Sequence, residues 1–234
     1  MDKNIVQISD NAKDFIKKEK RTLIKKFANL EKFPSIKKPF SFFMAGSPGA
    51  GKTEFSKRLI EMMIPIPIVR IDADEIKEFI PQYNGKNSDV VQGAASIAVD
   101  NLNYYTLKHK QNSIMDGTFA NYNVAYRNIT NCLNKKRRIS IFYLYQDPLI
   151  AWDFTRKRER LEGRYIPKEA FIDAFFKARE NVQLIKHEFG EKVRLNLVIK
   201  NKENDIEKIE FDINNIDNII KIRYNKNSLN AILC

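Results

Sequence analysis

Residues 46–53 read Gly-Ser-Pro-Gly-Ala-Gly-Lys-Thr, and this stretch decides the fold. It matches the pattern G-x-x-x-x-G-K-[ST], the phosphate-binding P-loop. A largely apolar run, Phe40–Ala45, precedes the loop, and a helical pattern follows from Glu54. A loop between a strand and a helix binds phosphate through inward-turned backbone N–H groups and the positive end of the helix dipole. The pattern therefore predicts a nucleotide-binding loop formed by Gly46, Ser47, Pro48, Gly49, Ala50, Gly51, Lys52 and Thr53.

The last two residues of the motif carry specific roles. Lys52 is expected to reach the β- and γ-phosphates, and the Thr53 hydroxyl is expected to ligate Mg²⁺. The alternative is an ordinary glycine-rich turn. Three of the eight glycines in the chain fall within these eight residues, which favours the P-loop. ATP and Mg²⁺ are therefore the expected cofactors.

Length and composition indicate a globular protein. A chain of 234 residues with 43% hydrophobic content can bury the core of one large α/β domain, with or without a small accessory. The formal net charge of +12 favours anionic partners such as nucleotides, nucleic acid or an acidic protein. A solvated helix face in a lysine-rich proteome is the plainer explanation. Two cysteines, Cys132 and Cys234, provide neither a disulfide framework nor metal-ligand spacing.

The chain is expected to be cytoplasmic. The first ten residues, MDKNIVQISD, are polar and no apolar segment typical of a signal peptide follows them. The longest apolar stretch, residues 62–71, is interrupted by prolines and by Arg70, so no contact with a membrane is expected.

Strand patterns alternate with helix patterns, which predicts a parallel sheet with helices on both faces. The predicted fold class is α/β, a P-loop NTPase-like parallel sheet flanked by helices with an arginine-bearing helical lid. The expected strands are residues 40–45, 66–72, 113–118, 139–145, 193–199 and 206–213. The expected helices are residues 11–30, 54–61, 73–79, 88–108, 123–134, 148–161, 168–189 and 215–223.

Acidic residues follow two of the predicted strands. Asp72 and Asp74 end the second strand, and Asp116 and Thr118 end the third. The carboxyl ends of parallel strands meet at the ligand-binding edge of such a sheet, so these side chains are expected beside the P-loop. Asp72 as a helix cap and Asp116 as a turn residue are the structural alternatives.

Arginines follow the fourth predicted strand. A helix, a loop and a second helix there carry side chains that could cover a nucleotide and stabilise charge on a transferred phosphate. A solvated helix face is the alternative. The arginines are Arg156, Arg158, Arg160 and Arg164.

Other P-loop classes lack their signatures. The nearest approach to the guanine-specifying N-K-x-D is Asn201-Lys202-Glu203-Asn204, which lacks the acid. No LSGGQ sequence is present. A kinase-like arrangement remains, and it divides the chain into a basic N-terminal helical extension (1–38), a P-loop kinase domain (39–200) and a C-terminal extension (201–234).

These motifs together resemble the zeta toxins, P-loop kinases of bacterial toxin–antitoxin systems and their chromosomal relatives. The resemblance runs from about residue 42 to 181. It is carried by the P-loop, Ile71-Asp72-Ala73-Asp74, Asp116-Gly117-Thr118, and Arg158 with Arg164-Tyr165-Ile166-Pro167. It implies a kinase that phosphorylates a small-molecule hydroxyl, with UDP-N-acetylglucosamine as the first candidate acceptor.

The resemblance also implies roles for individual residues. Asp74 is the implied general base toward the acceptor hydroxyl, and Asp116 and Thr118 are implied to hold the acceptor together with Asp72. Arg158 and Arg164 are implied to bind the ATP phosphates in the transition state. Aspartate at position 116 and alanine at position 120 stand where plasmid-borne members carry glutamate and arginine, so the kinase class is better supported than the acceptor.

The resemblance further implies an antitoxin protein that blocks the ATP pocket. The basic helix at residues 11–30 could instead block it in cis, or could simply pack. Two other function classes remain open. One is a polynucleotide 5′-hydroxyl or other RNA-directed kinase, favoured by the charge and by the basic run at residues 135–138. The other is a non-catalytic module whose nucleotide gates binding to a partner.

Overall fold

Six strands form one sheet in this computed structural model, which describes residues 3–233. Their order across the sheet is β2-β3-β1-β4-β5-β6. The first five strands pair in parallel and β6 pairs antiparallel with β5. The predicted fold class is confirmed, although the last strand departs from the parallel arrangement. The strands are β1 (Phe40–Ala45), β2 (Val69–Asp72), β3 (Ser113–Asp116), β4 (Arg138–Tyr145), β5 (Arg194–Lys200) and β6 (Ile206–Glu210).

Helices cover both faces of the sheet, which explains why the central strands are nearly continuous apolar runs. On one face Ile129 and Val182 pack with Ile141 of β4. On the other, Phe55 packs with Met44 of β1. The helices are α1 (Lys3–Lys18), α2 (Lys20–Phe27), α3 (Lys52–Met62), α4 (Ala73–Lys77), α5 (Gln92–Lys108), α6 (Tyr122–Asn134), α7 (Pro148–Glu162), α8 (Lys168–Phe189) and α9 (Lys226–Ile232).

The basic N-terminal segment forms two helices and not the one predicted over residues 11–30. They are α1 and α2, with Glu19 between them, and helical structure begins at Lys3. Ile16 and Leu23 are fully buried in a cluster that includes Ile71 of β2. Within the described part of the chain, neither helix contributes a residue to the large cavity described below. The structure therefore supports a packing role for this segment and does not support blockage of that cavity in cis.

Other elements also differ from the sequence predictions, and β6 ends at Glu210 and not at residue 213. Strand β2 begins at Val69, and not at residue 66, because Pro65 and Pro67 hold the preceding turn out of the ladder. Helix α5 begins at Gln92 and not at residue 88, which lies in a turn. The helix predicted at residues 215–223 is wrong: a single 3₁₀ turn, Ile216–Asn218, lies there.

The C-terminal helix α9 was not predicted. Its Leu229 is buried against Trp152 of α7 and Phe171 of α8. Lys168, the first residue of α8, donates to the carbonyl oxygens of Asn230 and Leu233 at 3.2 and 3.3 Å. The C-terminal segment therefore braces the two helices that carry the predicted lid. Among the residues described, no helix is both long enough and apolar enough to cross a membrane.

Candidate active site

The P-loop adopts a backbone that only glycine accommodates at two of its positions. Gly46 has a φ of 139° and Gly49 a φ of 74°. A Cβ atom on Gly46 would lie 2.5 Å from the carbonyl oxygen of Leu144, and one on Gly49 would overlap the carbonyl oxygen of Ala151. The loop is therefore packed directly against β4 and α7. Gly46, Ser47 and Ala50 form its buried underside, while Pro48, Gly49, Gly51, Lys52 and Thr53 face the cavity.

Lys52 is the first residue of α3, and its ammonium group lies over the loop. Its Nζ donates to the carbonyl oxygen of Ser47 at 2.7 Å. Burial lowers the pKa of Lys52 to about 8, and the negative charge of Asp116 opposes that shift. The backbone N–H groups at the start of α3 point the same way, so helix dipole and ammonium converge on one anion-binding position.

The predicted acids meet where β2 and β3 end. Asp72 and Asp116 are direct neighbours in the parallel register of the two strands. One nitrogen of Arg70 donates to Asp72 Oδ2 and, at 2.6 Å, to Asp116 Oδ2. Ser56 Oγ also donates to Asp116 Oδ2, at 2.8 Å. Burial raises the pKa of Asp72, the charge of Asp116 raises it further, and Arg70 opposes both effects.

Asp72 also caps α4 and thereby sets the position of Asp74. Its Oδ1 accepts from the backbone N–H of Asp74 at 2.8 Å. The side chain of Asp74 is 44% exposed to the cavity, whereas that of Asp72 is 8% exposed. Asp74 Oδ1 accepts from Lys77 Nζ at 3.2 Å, and Asp74 Oδ2 pairs with Arg164. Of the two acids, Asp74 is the one that a bound molecule can reach.

Two of the four predicted arginines line the cavity. Arg158 pairs with Glu162 at 3.5 Å, and Arg164 pairs with Glu162 at 3.2 Å in addition to Asp74. The other two lie elsewhere. Arg156 pairs with Glu159 and lies over the Trp152 ring, and Arg160 is exposed on α7.

One cavity of about 760 Å³ lies between the elements that carry these groups. One wall is the P-loop, a second is formed by the strand-end acids, and a third is formed by α7 and the loop that follows it. The cavity brings together these predicted site residues: Lys52, Thr53, Asp72, Asp74, Asp116, Thr118, Arg158 and Arg164. Thr118 is also tied to the P-loop, since its carbonyl oxygen accepts from the N–H of Gly46 at 3.1 Å.

Three site residues escaped the sequence prediction. Arg70 donates to both Asp72 and Asp116. The only feature of the sequence that could have indicated this role is a charged residue inside a buried strand. Lys77, 4% exposed, donates to Ser88 Oγ at 2.6 Å as well as to Asp74, and burial lowers its pKa. Asn204 lines the cavity from the turn after β5, with a φ of 67°. Its amide would lie 3.0–3.1 Å from a Cβ on Gly51.

The residues present fit the Mg²⁺ that a P-loop implies. Thr53 lies in the first turn of α3 and lines the cavity, and a hydroxyl oxygen is a hard ligand of the kind Mg²⁺ prefers. Within residues 3–233, no group of three or more His, Cys, Asp or Glu residues could hold a metal ion. The chain therefore fits a cation held by Thr53 together with phosphate oxygens and not a cage of carboxylates.

A mostly parallel sheet whose P-loop, strand-end acids and arginines meet at one edge defines the P-loop kinase fold. The chain belongs to the zeta toxin family: the family model described as "Zeta toxin" matches residues 25–212. The resemblance found in the motifs is thus confirmed. Comparison with curated proteins gives no match.

Several solved structures share the fold at low sequence identity. A chain from the PezAT chromosomal toxin–antitoxin system of Streptococcus pneumoniae has a TM-score of 0.61 at 20% identity, covering 86% of this chain and 80% of that one. A chain from the AvrRxo1-ORF1:-ORF2 complex with ATP has a TM-score of 0.60 at 12% identity, covering 89% and 70%. A chain from the Pnkp1/Rnl/Hen1 RNA repair complex has a TM-score of 0.50 at 17% identity, covering 64% and 47%.

Proposed function

We propose that this protein is an ATP-dependent phosphotransferase that phosphorylates a hydroxyl group of a small molecule. The observation that supports this most directly is the placement of Asp74. Its carboxylate is accessible in the same cavity as Lys52, Thr53, Arg158 and Arg164. A group that can accept a proton and groups that can hold a triphosphate thus face each other across one space.

The P-loop and Lys52 bind the donor phosphates in this proposal. The Thr53 hydroxyl would hold Mg²⁺, which would supply positive charge to neutralise the triphosphate. The acceptor oxygen bonds to the γ-phosphorus as the bond from that phosphorus to the β,γ-bridging oxygen breaks and ADP leaves. The hydroxyl proton passes to the carboxylate of Asp74.

The arginines stabilise the charge that develops on the transferred group. Arg164 pairs with Asp74, and a guanidinium has five N–H donors, so it can hold a carboxylate and a phosphate oxygen together. Asp72 and Asp116 share the guanidinium of Arg70. Asp72 therefore acts by positioning Asp74, while Asp116 and Thr118 border the space in which the acceptor is held.

The experiment is a phosphorylation assay with the full-length protein, Mg-ATP and a panel of hydroxyl compounds that begins with UDP-N-acetylglucosamine. Mass spectrometry detects the gain of one phosphate. Asp74→Asn is expected to lower turnover by about 10²–10⁴-fold with ATP binding unchanged. Glu78→Gln, one turn further along the chain, is the matched control and is expected to leave turnover unchanged. Release of ADP without any phosphorylated compound would contradict the proposed phosphotransferase activity.

An RNA-directed kinase has weaker support. Three residues of the predicted basic cluster, Lys135, Lys136 and Arg138, are exposed, but the fourth is buried. Arg137, from the predicted basic cluster at residues 135–138, is 5% exposed and donates to Ser41 Oγ at 2.7 Å and to the Phe40 carbonyl oxygen at 2.6 Å. It therefore holds strands together and is not available to bind a phosphate backbone. Strongly salt-dependent binding to a single-stranded oligonucleotide would revive this alternative.

We also propose an antitoxin protein as a partner. Support comes from the family and from the fold shared with a chain of the PezAT toxin–antitoxin system. The test is expression in bacterial cells. Wild-type protein is expected to arrest growth, Asp74→Asn is expected not to, and a cognate antitoxin is expected to restore growth. Equal growth with both variants would argue against a toxin.

A further inference from the structure

A second cavity adjoins the candidate active site. Its volume is about 360 Å³, within the range of roughly 300–1,000 Å³ that is usual for small-molecule sites. The two cavities share five residues: Ala73, Gln92, Asp116, Gly117 and Thr118. A Cβ on Gly117 would meet no atom within 4 Å, so this part of the shared wall borders open space. At Gly117, therefore, the wall that the two cavities share has no side chain and leaves space for one.

The second cavity has mostly apolar walls with polar amides among them. Phe119, Met115 and Val124 line it, as do Asn121 and Asn128. Asn128 is 3% exposed, and its Nδ2 has a weak acceptor, the Met115 sulfur at 3.3 Å. Apolar surface with a few fixed amide groups suits a flat ring that has hydrogen-bonding atoms on its edge.

Phe119, which lines the second cavity and follows the shared residue Thr118, adopts a strained conformation. Its φ of 62° is rare for an aromatic residue. The Asn181 side chain donates to its carbonyl oxygen at 2.9 Å, and its ring packs edge-on against Phe43. Strain that the surrounding structure holds in this way is typical of ligand sites.

Charge distinguishes the second cavity from the first. Its charged lining groups are all paired within the described residues: Arg127 with Asp100 at 2.8 Å, and Asp116 with Arg70. The shared wall carries one charged group, the carboxylate of Asp116. A phosphate or diphosphate placed against this shared wall would lose water and face the carboxylate of Asp116 with no cation on the wall, which is unfavourable. Lys52, Arg158 and Arg164 all lie in the first cavity.

We infer that the acceptor is an uncharged alcohol of the nucleoside type. Its heteroaromatic ring occupies the second cavity, and its hydroxyl reaches past Gly117 and Asp116 to Asp74. This inference rests on the proposed function and narrows its acceptor: a short, uncharged link joins the ring to the reacting hydroxyl. A sugar linked to its base through a diphosphate would place that diphosphate against the wall that carries the Asp116 carboxylate, which is unfavourable.

The test measures binding without turnover. The Asp74→Asn protein, saturated with Mg-ADP to occupy the donor site, is titrated by calorimetry with adenosine, cytidine, uridine and thymidine. UMP and UDP-N-acetylglucosamine are the charged comparisons. At least one nucleoside is expected to bind about tenfold or more tightly than either charged compound.

A cavity-filling variant locates the binding. Val124, 40% exposed, lines the second cavity, so Val124→Trp is expected to weaken nucleoside binding about tenfold or more and to leave ADP binding unchanged. The matched control is Val6→Trp, because Val6 is 38% exposed on α1 and is remote from both cavities. It is expected to change neither affinity.

Three results would overturn the inference: no nucleoside binds, a charged compound binds more tightly, or Val124→Trp leaves nucleoside affinity intact. The proposed function fails separately. Nucleoside binding that is sensitive to Val124→Trp but never leads to phosphate transfer by the wild-type protein would contradict the kinase and keep the second cavity as a ring-binding site. If the protein phosphorylates UDP-N-acetylglucosamine and Val124→Trp does not affect that reaction, the kinase proposal stands and the inference of a nucleoside acceptor fails.

Discussion

Arg164 forms an ion pair with Asp74 across the cavity, although the two residues are far apart in the chain. Arg164 lies in the loop between α7 and α8, and Asp74 lies on α4. Burial lowers the pKa of Arg164, and the negative charge of Asp72 opposes that shift. The pair therefore places in the cavity wall a guanidinium that can exchange one anionic partner for another.

Loss of either cavity-lining arginine is expected to slow turnover. Arg158→Ala and Arg164→Ala each remove a cation that faces the phosphates in the proposed function, and we expect about 10²–10³-fold lower kcat. Arg160→Ala is the matched control, because Arg160 is exposed on the same helix as Arg158. It is expected to keep wild-type kcat. Steady-state kinetics decide the matter, and equal losses in all three variants would show that the arginines act through general charge.

Gly49→Ala is expected to abolish nucleotide binding. The added Cβ would overlap the Ala151 carbonyl oxygen and lie 2.8 Å from Thr155 Oγ1, while the φ of 74° disfavours any side chain. The loop would have to move away from α7, and its N–H groups would no longer converge on phosphate. Equilibrium binding of ATP measures the effect.

Gly190→Ala separates the effect of backbone strain from the effect of steric overlap. Gly190 also has a positive φ, 54°, but a Cβ there would meet nothing within 4 Å. We expect it to cost about 1–3 kcal/mol of stability from backbone strain and to leave ATP affinity unchanged. Unchanged ATP affinity in Gly49→Ala as well would mean that the loop tolerates displacement and that its packing against α7 is unimportant.

Sequence patterns predicted which residues form the P-loop side of the cavity because that information is local. The P-loop is a continuous motif, and its position after β1 follows from the apolar run that precedes it. Asp72 and Asp116 were expected beside the P-loop because the carboxyl ends of parallel strands meet at one edge of the sheet. The register of β2 and β3 places them directly side by side.

Contacts between distant segments were not predictable from periodicity. The bond from Ser56 to Asp116 joins residues 60 positions apart, and the choice of Arg70 as their common partner depends on side-chain packing. Asn204 reaches Gly51 from a turn whose conformation is left-handed. Helix α9 has a short and weak pattern, and its stability comes from packing on α7 and α8.

Arg70→Met is expected to destabilise the protein by about 3–5 kcal/mol, because it leaves the carboxylates of Asp72 and Asp116 buried without their cation. Arg127→Met is the matched control. Arg127 is 52% exposed and pairs with Asp100, which is 54% exposed, so the expected cost is at most about 1 kcal/mol. Urea denaturation measures both.

The cost of Arg70→Met is expected to depend on pH. Burial already raises the pKa of Asp72 with Arg70 present, and loss of Arg70 raises it further. In the window between the ordinary carboxyl pKa of about 4 and that raised value, the folded state holds a proton that the unfolded state has released. The stability of the variant therefore falls as pH rises through this window. A deficit that is the same at pH 5 and pH 7.5 would contradict this origin.

Nucleotide affinity is expected to fall as pH rises above about 8, because burial lowers the pKa of Lys52 from 10.5 to that value. Loss of the ammonium charge should weaken ATP binding by up to about tenfold per pH unit. The contribution of Lys52 to the free energy of unfolding changes in the opposite direction. Between pH 8 and 10.5 the unfolded chain holds a proton that the folded chain has lost, so this group's contribution to stability rises with pH. Lys52→Arg keeps its charge throughout, so its ATP affinity, whatever its absolute value, is expected to be flat over pH 7–10. Binding isotherms for the two proteins at each pH provide the measurement, and parallel pH profiles would show that another group controls the phosphate site.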